Sequence, residues 1–281
     1  ATTFPFFFCS FERNRLHLHG VPVYEFKYAS DMEAVKRIPY GVSDFVAVVE
    51  QNQYYVDKTM YLPLLEQQPS NLFLIRPRRF GKSIFLNMLR AYYDSSQKAK
   101  FEKRFGNLWI GQNPTPLQGR YQVLFLDFSK AGVGIENLEA NFNLYCRRQL
   151  DGFMATYEDA YPERTVEEFY ASTSAADKLS MIEVEAQRHG YPLYLIIDEY
   201  DNFTNVVLNE QGNDIYHAIT HASGFYREIF KKFKGMFERI FMMGVSPVTL
   251  DDLTSGFNIG WNISTDYQFN MMLGFSESDV R

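Results

Sequence analysis

The sequence predicts an α/β fold: a mostly parallel sheet with helices on both faces. Three observations predict it. Apolar runs at residues 71–76, 122–128, 193–198 and 240–245 have the length and β-prone content of strands. Stretches with apolar residues at helical spacing separate them. The runs are continuous rather than alternating, as in strands buried on both sides.

The elements follow in order. Tyr54-Tyr55-Val56 is a short β-prone run, and Thr59 to Glu66 reads as a helix. Asn71 to Arg76 is the first buried strand. Pro77 to Gly81 is a loop, and Lys82 to Tyr93 is a helix whose Phe85, Leu86, Leu89 and Tyr93 share a face. Gln122 to Phe128 is the second strand. Helices are expected over Leu138 to Tyr157 and over Ala175 to His189, the latter stopped by Gly190. Leu193 to Asp198 is the third strand. Asn213 to Phe237 reads as helical with a break at Gly224, and Ile240 to Val245 is the fourth strand. With no internal repeat and no low-complexity linker, residues 32–281 read as one domain. Residues 1–31 carry no helix or strand period and lack the basic start and long apolar core of a signal peptide. They are expected to be a non-native or poorly ordered extension.

Composition sets limits. The chain has 281 residues, 46% hydrophobic and 22% charged, enough to bury a core and too apolar for disorder. A net charge of −6 gives no chain-wide footprint for nucleic acid. Cys9 and Cys146 form neither a disulfide framework nor a CxxC pair and fit a reducing cytoplasm. No apolar run approaches the roughly 20 residues that span a bilayer.

Two sites carry chemistry. The first strand runs into Arg76-Pro77-Arg78-Arg79-Phe80-Gly81-Lys82-Ser83 and then a helix. Strand, loop, Gly-Lys-Ser, helix is the order of a P-loop, in which backbone N–H groups and the helix dipole face an anion. Gly81 permits close backbone approach, Lys82 reaches the β- and γ-phosphates, and Ser83 offers a hydroxyl to Mg²⁺. The full pattern places glycine where this chain has Arg76, so the match is degenerate. Positions 76–82 hold four cations and no acid, an arrangement that calls for an anionic ligand. The expected nucleotide-binding set is Arg78, Arg79, Phe80, Gly81, Lys82, Ser83 and Ile84.

The third strand ends in Asp198-Glu199, the form of a Walker B segment. Asp198 is expected to hold Mg²⁺ with Ser83, and Glu199 to take a proton from an attacking water. Asp201 is placed at the rim. The fourth strand ends in Gly244-Val245-Ser246-Pro247, which makes Ser246 a candidate γ-phosphate sensor. Other constellations fail. His217 and His221 have metal-binding spacing, but Ala218 stands where an HExxH site needs glutamate. His17 and His19 fall in the N-terminal extension, and no Gly-x-Ser-x-Gly elbow occurs. Asn202 and Asn262 open glycosylation sequons without meaning in the cytoplasm.

Together, residues 37–45, Tyr55-Val56-Asp57-Lys58-Thr59, the string from Arg76 to Ser83, Ile197-Asp198-Glu199-Tyr200-Asp201, Gly244-Val245-Ser246-Pro247 and residues 251–258 resemble the AAA-ATPase-like proteins abundant in Bacteroidetes. The resemblance runs from about residue 33 to the C-terminus, and within it an arginine at position 76 is usual. It implies a P-loop NTPase three-layer sandwich of the additional-strand type, with the Walker B strand not beside the P-loop strand. It also implies Mg²⁺-dependent ATP hydrolysis, with Glu199, Lys82 and Ser246 as catalytic residues. Such proteins often continue into a PD-(D/E)XK nuclease-like domain, and this chain is expected to stop before it and before a lid. A homo-oligomer supplying an arginine finger, a nucleotide switch with little turnover, and an ATPase serving a nuclease on nucleic acid are the open alternatives.

Overall fold

The computed structural model describes residues 36–131, 137–220, 224–246 and 260–280. The expectations for residues 1–31, His221, Pro247 and residues 251–258 lie outside them.

In chain order the main elements are α1 (Phe45–Glu50), α2 (Leu62–Glu66), β1 (Asn71–Ile75), α3 (Lys82–Tyr93), α4 (Phe101–Phe105), α5 (Trp109–Gln112) and β2 (Gln122–Asp127). They continue with α6 (Leu138–Tyr157), α7 (Glu163–Ala171), α8 (Ala175–His189), β3 (Leu193–Asp198), α9 (Asn202–Gln211), α10 (Asn213–Thr220), α11 (Phe225–Phe233), β4 (Arg239–Gly244) and β5 (Trp261–Asn262). The five strands form one parallel sheet in the order β2-β3-β4-β1-β5. β4 therefore sits between β1 and β3, so the strand before the Gly-Lys-Ser loop and the strand ending in Asp198 are not neighbours.

The sheet divides two cores. Side chains alternate across a strand, so Leu195 and Ile197 of β3 enter one core while Tyr194 and Ile196 enter the other. The first core is filled by α6, α8 and α11, through residues such as Phe142, Leu179 and Phe230. The second is filled by α3 with the shorter helices, through Phe85, Leu89, Phe45 and Phe105. All six residues of β3 are buried, which is why this strand reads as an unbroken apolar run. The result is a three-layer α/β sandwich.

Local signals explain the element ends. Gly190, in the left-handed region, closes α8. Gly224 precedes α11, and the expected long helix over 213–237 is two helices, the second ending at Phe233. Two expectations are corrected. Tyr54 to Val56 joins no sheet: the Tyr54 N–H is taken by the Arg37 carbonyl at 2.8 Å, outside any strand ladder. The sheet also has a fifth strand, β5, whose two residues are exposed and carry no apolar run.

Among the described residues no helix is long and apolar enough to cross a membrane. Cys146 is buried, and burial pushes its thiol up to about 12, which disfavours the thiolate.

Candidate functional site

Parallel strands deliver their C-terminal ends to one edge of the sheet, and the chemistry-bearing loops meet there. β1 leads into the cationic loop, β3 into Asp198-Glu199, and β4 into Val245-Ser246.

The loop closes on Gly81, which adopts φ +84° and caps α3 without any side-chain hydrogen bond. A residue with a Cβ would be strained there. The first turn of α3 contains no acid, and its N–H groups point out of the helix end beside a positive dipole. Arg79 is also held at positive φ, +68°. Lys82 is buried, and its Nζ donates to the carbonyls of Arg76 and Pro77 at 3.2 and 3.1 Å. Burial lowers the Lys82 pKa, while Asp198, Glu199 and Asp201 pull it the other way.

Asp198 and the loop are in direct contact. The Ser83 hydroxyl donates to Asp198 Oδ2 at 2.6 Å, although the residues are 115 positions apart. The backbone N–H of Glu199 donates to Asp198 Oδ1 at 3.0 Å. Burial raises the Asp198 pKa above the ordinary aspartate value. The Ser83 hydroxyl opposes that shift, and the negative charge of Asp127 adds to it. A serine hydroxyl beside a carboxylate is an oxygen donor set of the kind Mg²⁺ takes.

The raised pKa has a stability consequence. A carboxyl with a folded-state pKa above its unfolded value contributes stability that is complete below the unfolded value and lost as pH rises through the folded one. Ionised Asp198 therefore destabilises the nucleotide-free chain at neutral pH. Asp198→Asn, whose amide can still pair with Ser83, is expected to raise the thermal unfolding midpoint at pH 7. The gain should fade as pH falls through the carboxylate range. A variant melting below the parent at pH 7 would contradict this.

Glu199 stands at φ +49°, a conformation uncommon for a residue with a side chain. Among the described residues its carboxylate has no hydrogen-bond partner. Non-glycine residues at positive φ cluster at sites whose geometry the surroundings impose. Two of the three among the described residues, Arg79 and Glu199, are here; the third is Asn52.

One placement departs from the sequence reading. Asp201 is not at the rim. It is 1% exposed, and it accepts hydrogen bonds from the N–H groups of Val245 (3.2 Å) and Ser246 (2.6 Å) and from Asn205 Nδ2 (3.0 Å). Gly244 makes this approach possible, because a Cβ there would lie 2.6 Å from Asp201 Oδ1 and 2.4 Å from the Tyr200 ring. Asp201 thus fixes the backbone of Ser246, aided by the Tyr200 hydroxyl donating to the Ser246 carbonyl at 2.7 Å. Asp201→Ala would strand these donors, and hydrogen bonds to charged groups contribute roughly 1.5–3 kcal/mol each. Urea unfolding should show a loss of about 3 kcal/mol; a loss under about 1 kcal/mol would contradict the role.

Arg76, counted in the sequence among four loop cations, makes a structural tie. Its Nη1 donates to the carbonyls of Ser264 (2.7 Å) and Ile75 (3.0 Å), tying the loop to the chain after β5. Arg78 and Arg79 remain exposed, with no carboxylate partner among the described residues.

One residue escaped the sequence reading. Asp127 ends β2 in register with Asp198, and both line a polar cavity of about 350 Å³ with Ser83, Asn87, Arg90 and Lys130. Lys130 pairs with Asp127 at 2.9 Å. The available signal was that the second strand, like the third, ends in aspartate.

Strand order, a glycine-capped loop before α3, and an aspartate on the strand two places away define a P-loop NTPase-like fold. A family model described as Predicted AAA-ATPase matches residues 39–254, and the chain belongs to that family. The chain is also similar to a curated relative from Azotobacter chroococcum mcd 1, "Uncharacterized protein in vnfD 5'region", with 26% identity over 251 residues. The match covers 87% of this chain and 44% of the relative, so the chain spans less than half of that protein's length. Membership supports nucleotide binding in general.

Proposed function

We propose that the chain binds ATP with Mg²⁺ and hydrolyses it. The observation that carries this reading is the 2.6 Å contact between Ser83 and Asp198 at the uncapped N-terminus of α3. The first-turn N–H groups of α3 receive the phosphates. The Lys82 ammonium leaves the Arg76 and Pro77 carbonyls to pair with the β- and γ-phosphate oxygens, a stronger, charge-assisted interaction. Arg78 and Arg79 lie exposed beside the same loop and add to its positive field.

Ser83 and Asp198 would hold Mg²⁺, which when bound neutralises charge on the phosphates. Glu199 orients the attacking water and accepts its proton. It follows Asp198 directly, and its carboxylate is free of hydrogen bonds to the described residues. Ser246, between the ends of β1 and β3 and fixed by Asp201 and Tyr200, meets the γ-phosphate.

Phosphate release from ATP in the presence and absence of Mg²⁺ tests the proposal. Hydrolysis that requires Mg²⁺ supports it. Tight ATP binding with no release in a single turnover would favour a nucleotide switch.

A further inference from the structure

The polar cavity that Ser83 and Asp198 border continues along the outer edge of β2, between α3 and α6. Its volume of about 350 Å³ is within the roughly 300–1,000 Å³ range of small-molecule pockets. β2 is an edge strand, paired within the sheet only on its β3 side. Successive residues of a strand turn their backbone polar groups to opposite sides. The Gln122 N–H goes to the Pro192 carbonyl, on the β3 side. The N–H groups of Val123 and Asp127 go the other way, to the hydroxyls of Tyr157 and Tyr145 on α6, at 2.8 and 2.6 Å. Phe125 lies between them, so its N–H and carbonyl face the cavity side, where no described residue takes them. Backbone groups enclosed in this way call for a partner.

The walls hold further unspent groups. On α3, Asn87 Nδ2 donates to the carbonyls of Ser83 (2.9 Å) and Ser43 (3.3 Å), which leaves Oδ1 as an acceptor. Arg90 lies over the Phe125 ring at 5.8 Å. On α6, the Tyr145 hydroxyl accepts from Asp127, but its own hydrogen finds no acceptor among the described residues. Gln149, one turn on, has no side-chain partner among them. Gly152 follows on the same face, inside a helix of twenty residues. Glycine weakens a helix interior, and packing does not demand it here: nothing lies within 4 Å of where its Cβ would stand. What the missing side chain does is leave the cavity open.

We infer that this cavity binds a small, neutral, polyhydroxylated molecule of the sugar or cyclitol class. Charge sets the neutrality. Arg90 and Lys130 are matched by Asp127 and Asp198, and Lys130 already pairs with Asp127 at 2.9 Å. Hydrogen bonding sets the class. The Phe125 N–H, the Tyr145 hydroxyl and Arg90 donate, the Phe125 carbonyl and Asn87 Oδ1 accept, and Gln149 does both. A hydroxyl donates and accepts at one atom, so several hydroxyls on one ring match a wall of mixed donors and acceptors. A carboxylate or phosphate would leave the acceptors unpaired. The site goes beyond nucleotide binding, because its lining is assembled in the nucleotide-free chain.

Saturation-transfer NMR on the full, nucleotide-free chain tests this with D-glucose, D-ribose and myo-inositol, each at roughly 10 mM, about ten times a millimolar Kd. At least one should bind with a Kd at or below the millimolar range. Gly152→Leu, which fills the cavity, should melt at or above the parent temperature, since leucine favours the helix and the space is empty. It should weaken binding at least about tenfold. Gln149→Leu, close in size but without the amide, should weaken it severalfold. Loss of binding in either folded variant supports the site, and Gln149→Leu alone decides should Gly152→Leu fail to fold. If none of the three probes binds, or the folded variants bind like the parent, the inference is overturned. Neither result touches the proposed ATP chemistry, because no nucleotide enters the experiment.

Discussion

Lys82→Ala is expected to abolish useful nucleotide binding. Lys82 is the buried cation at the mouth of α3, and its ammonium is held by two loop carbonyls. Those carbonyls are neutral acceptors, so exchanging them for phosphate oxygens gains charge-assisted bonds. Losing two such bonds should cost roughly 3 kcal/mol or more, about a hundredfold in Kd. Lys82→Arg should recover only part of this, because a planar guanidinium cannot reproduce a point charge in the same space. Titration with Mg²⁺·ATP, with circular dichroism to confirm folding, reads the effect. A folded Lys82→Ala protein with parental affinity would place the phosphates elsewhere.

Glu199→Gln is expected to separate binding from turnover. Glutamine has the shape of glutamate and can occupy the same φ of +49°, so the loop after β3 should persist. It cannot accept the proton of an attacking water. General-base catalysis contributes about 10²–10⁴ in rate, and single-turnover phosphate release should fall by that order while ATP affinity holds. The partner residue gives the contrast: Asp198→Asn should damage Mg²⁺-dependent binding itself. Unchanged release from Glu199→Gln would move the base to another group, and Asp127, in register with Asp198 on the adjacent strand, would be the first to examine.

Much of the fold was legible because burial leaves a plain mark on sequence. Leu193 to Asp198 is covered on both faces, so every position is apolar until the aspartate. Lys82 to Tyr93 shows helical spacing because one face packs into the second core. The parts that were not legible depend on contacts distant in sequence. β5 is two exposed residues that are a strand only because β1 lies beside them. Asp201 reads as one more acid after Asp198, and its structural role rests on Gly244 and the backbone of Ser246, more than forty residues on. Arg76 reads only as one of four loop cations, and its tie to the Ser264 carbonyl is invisible in the sequence. Asp127 gains its place from sheet order, which brings β2 next to β3 across an intervening stretch of more than sixty residues.

The central claim is that Ser83 and Asp198 hold one Mg²⁺ on the phosphates bound at the α3 N-terminus. The most direct measurement is the gain in ATP affinity that Mg²⁺ brings, compared between the parent and Asp198→Asn. The account predicts a clear gain in the parent that largely disappears in the variant, while metal-free ATP binding stays as strong or strengthens with the loss of a negative charge. An equal Mg²⁺ gain in both proteins would contradict it.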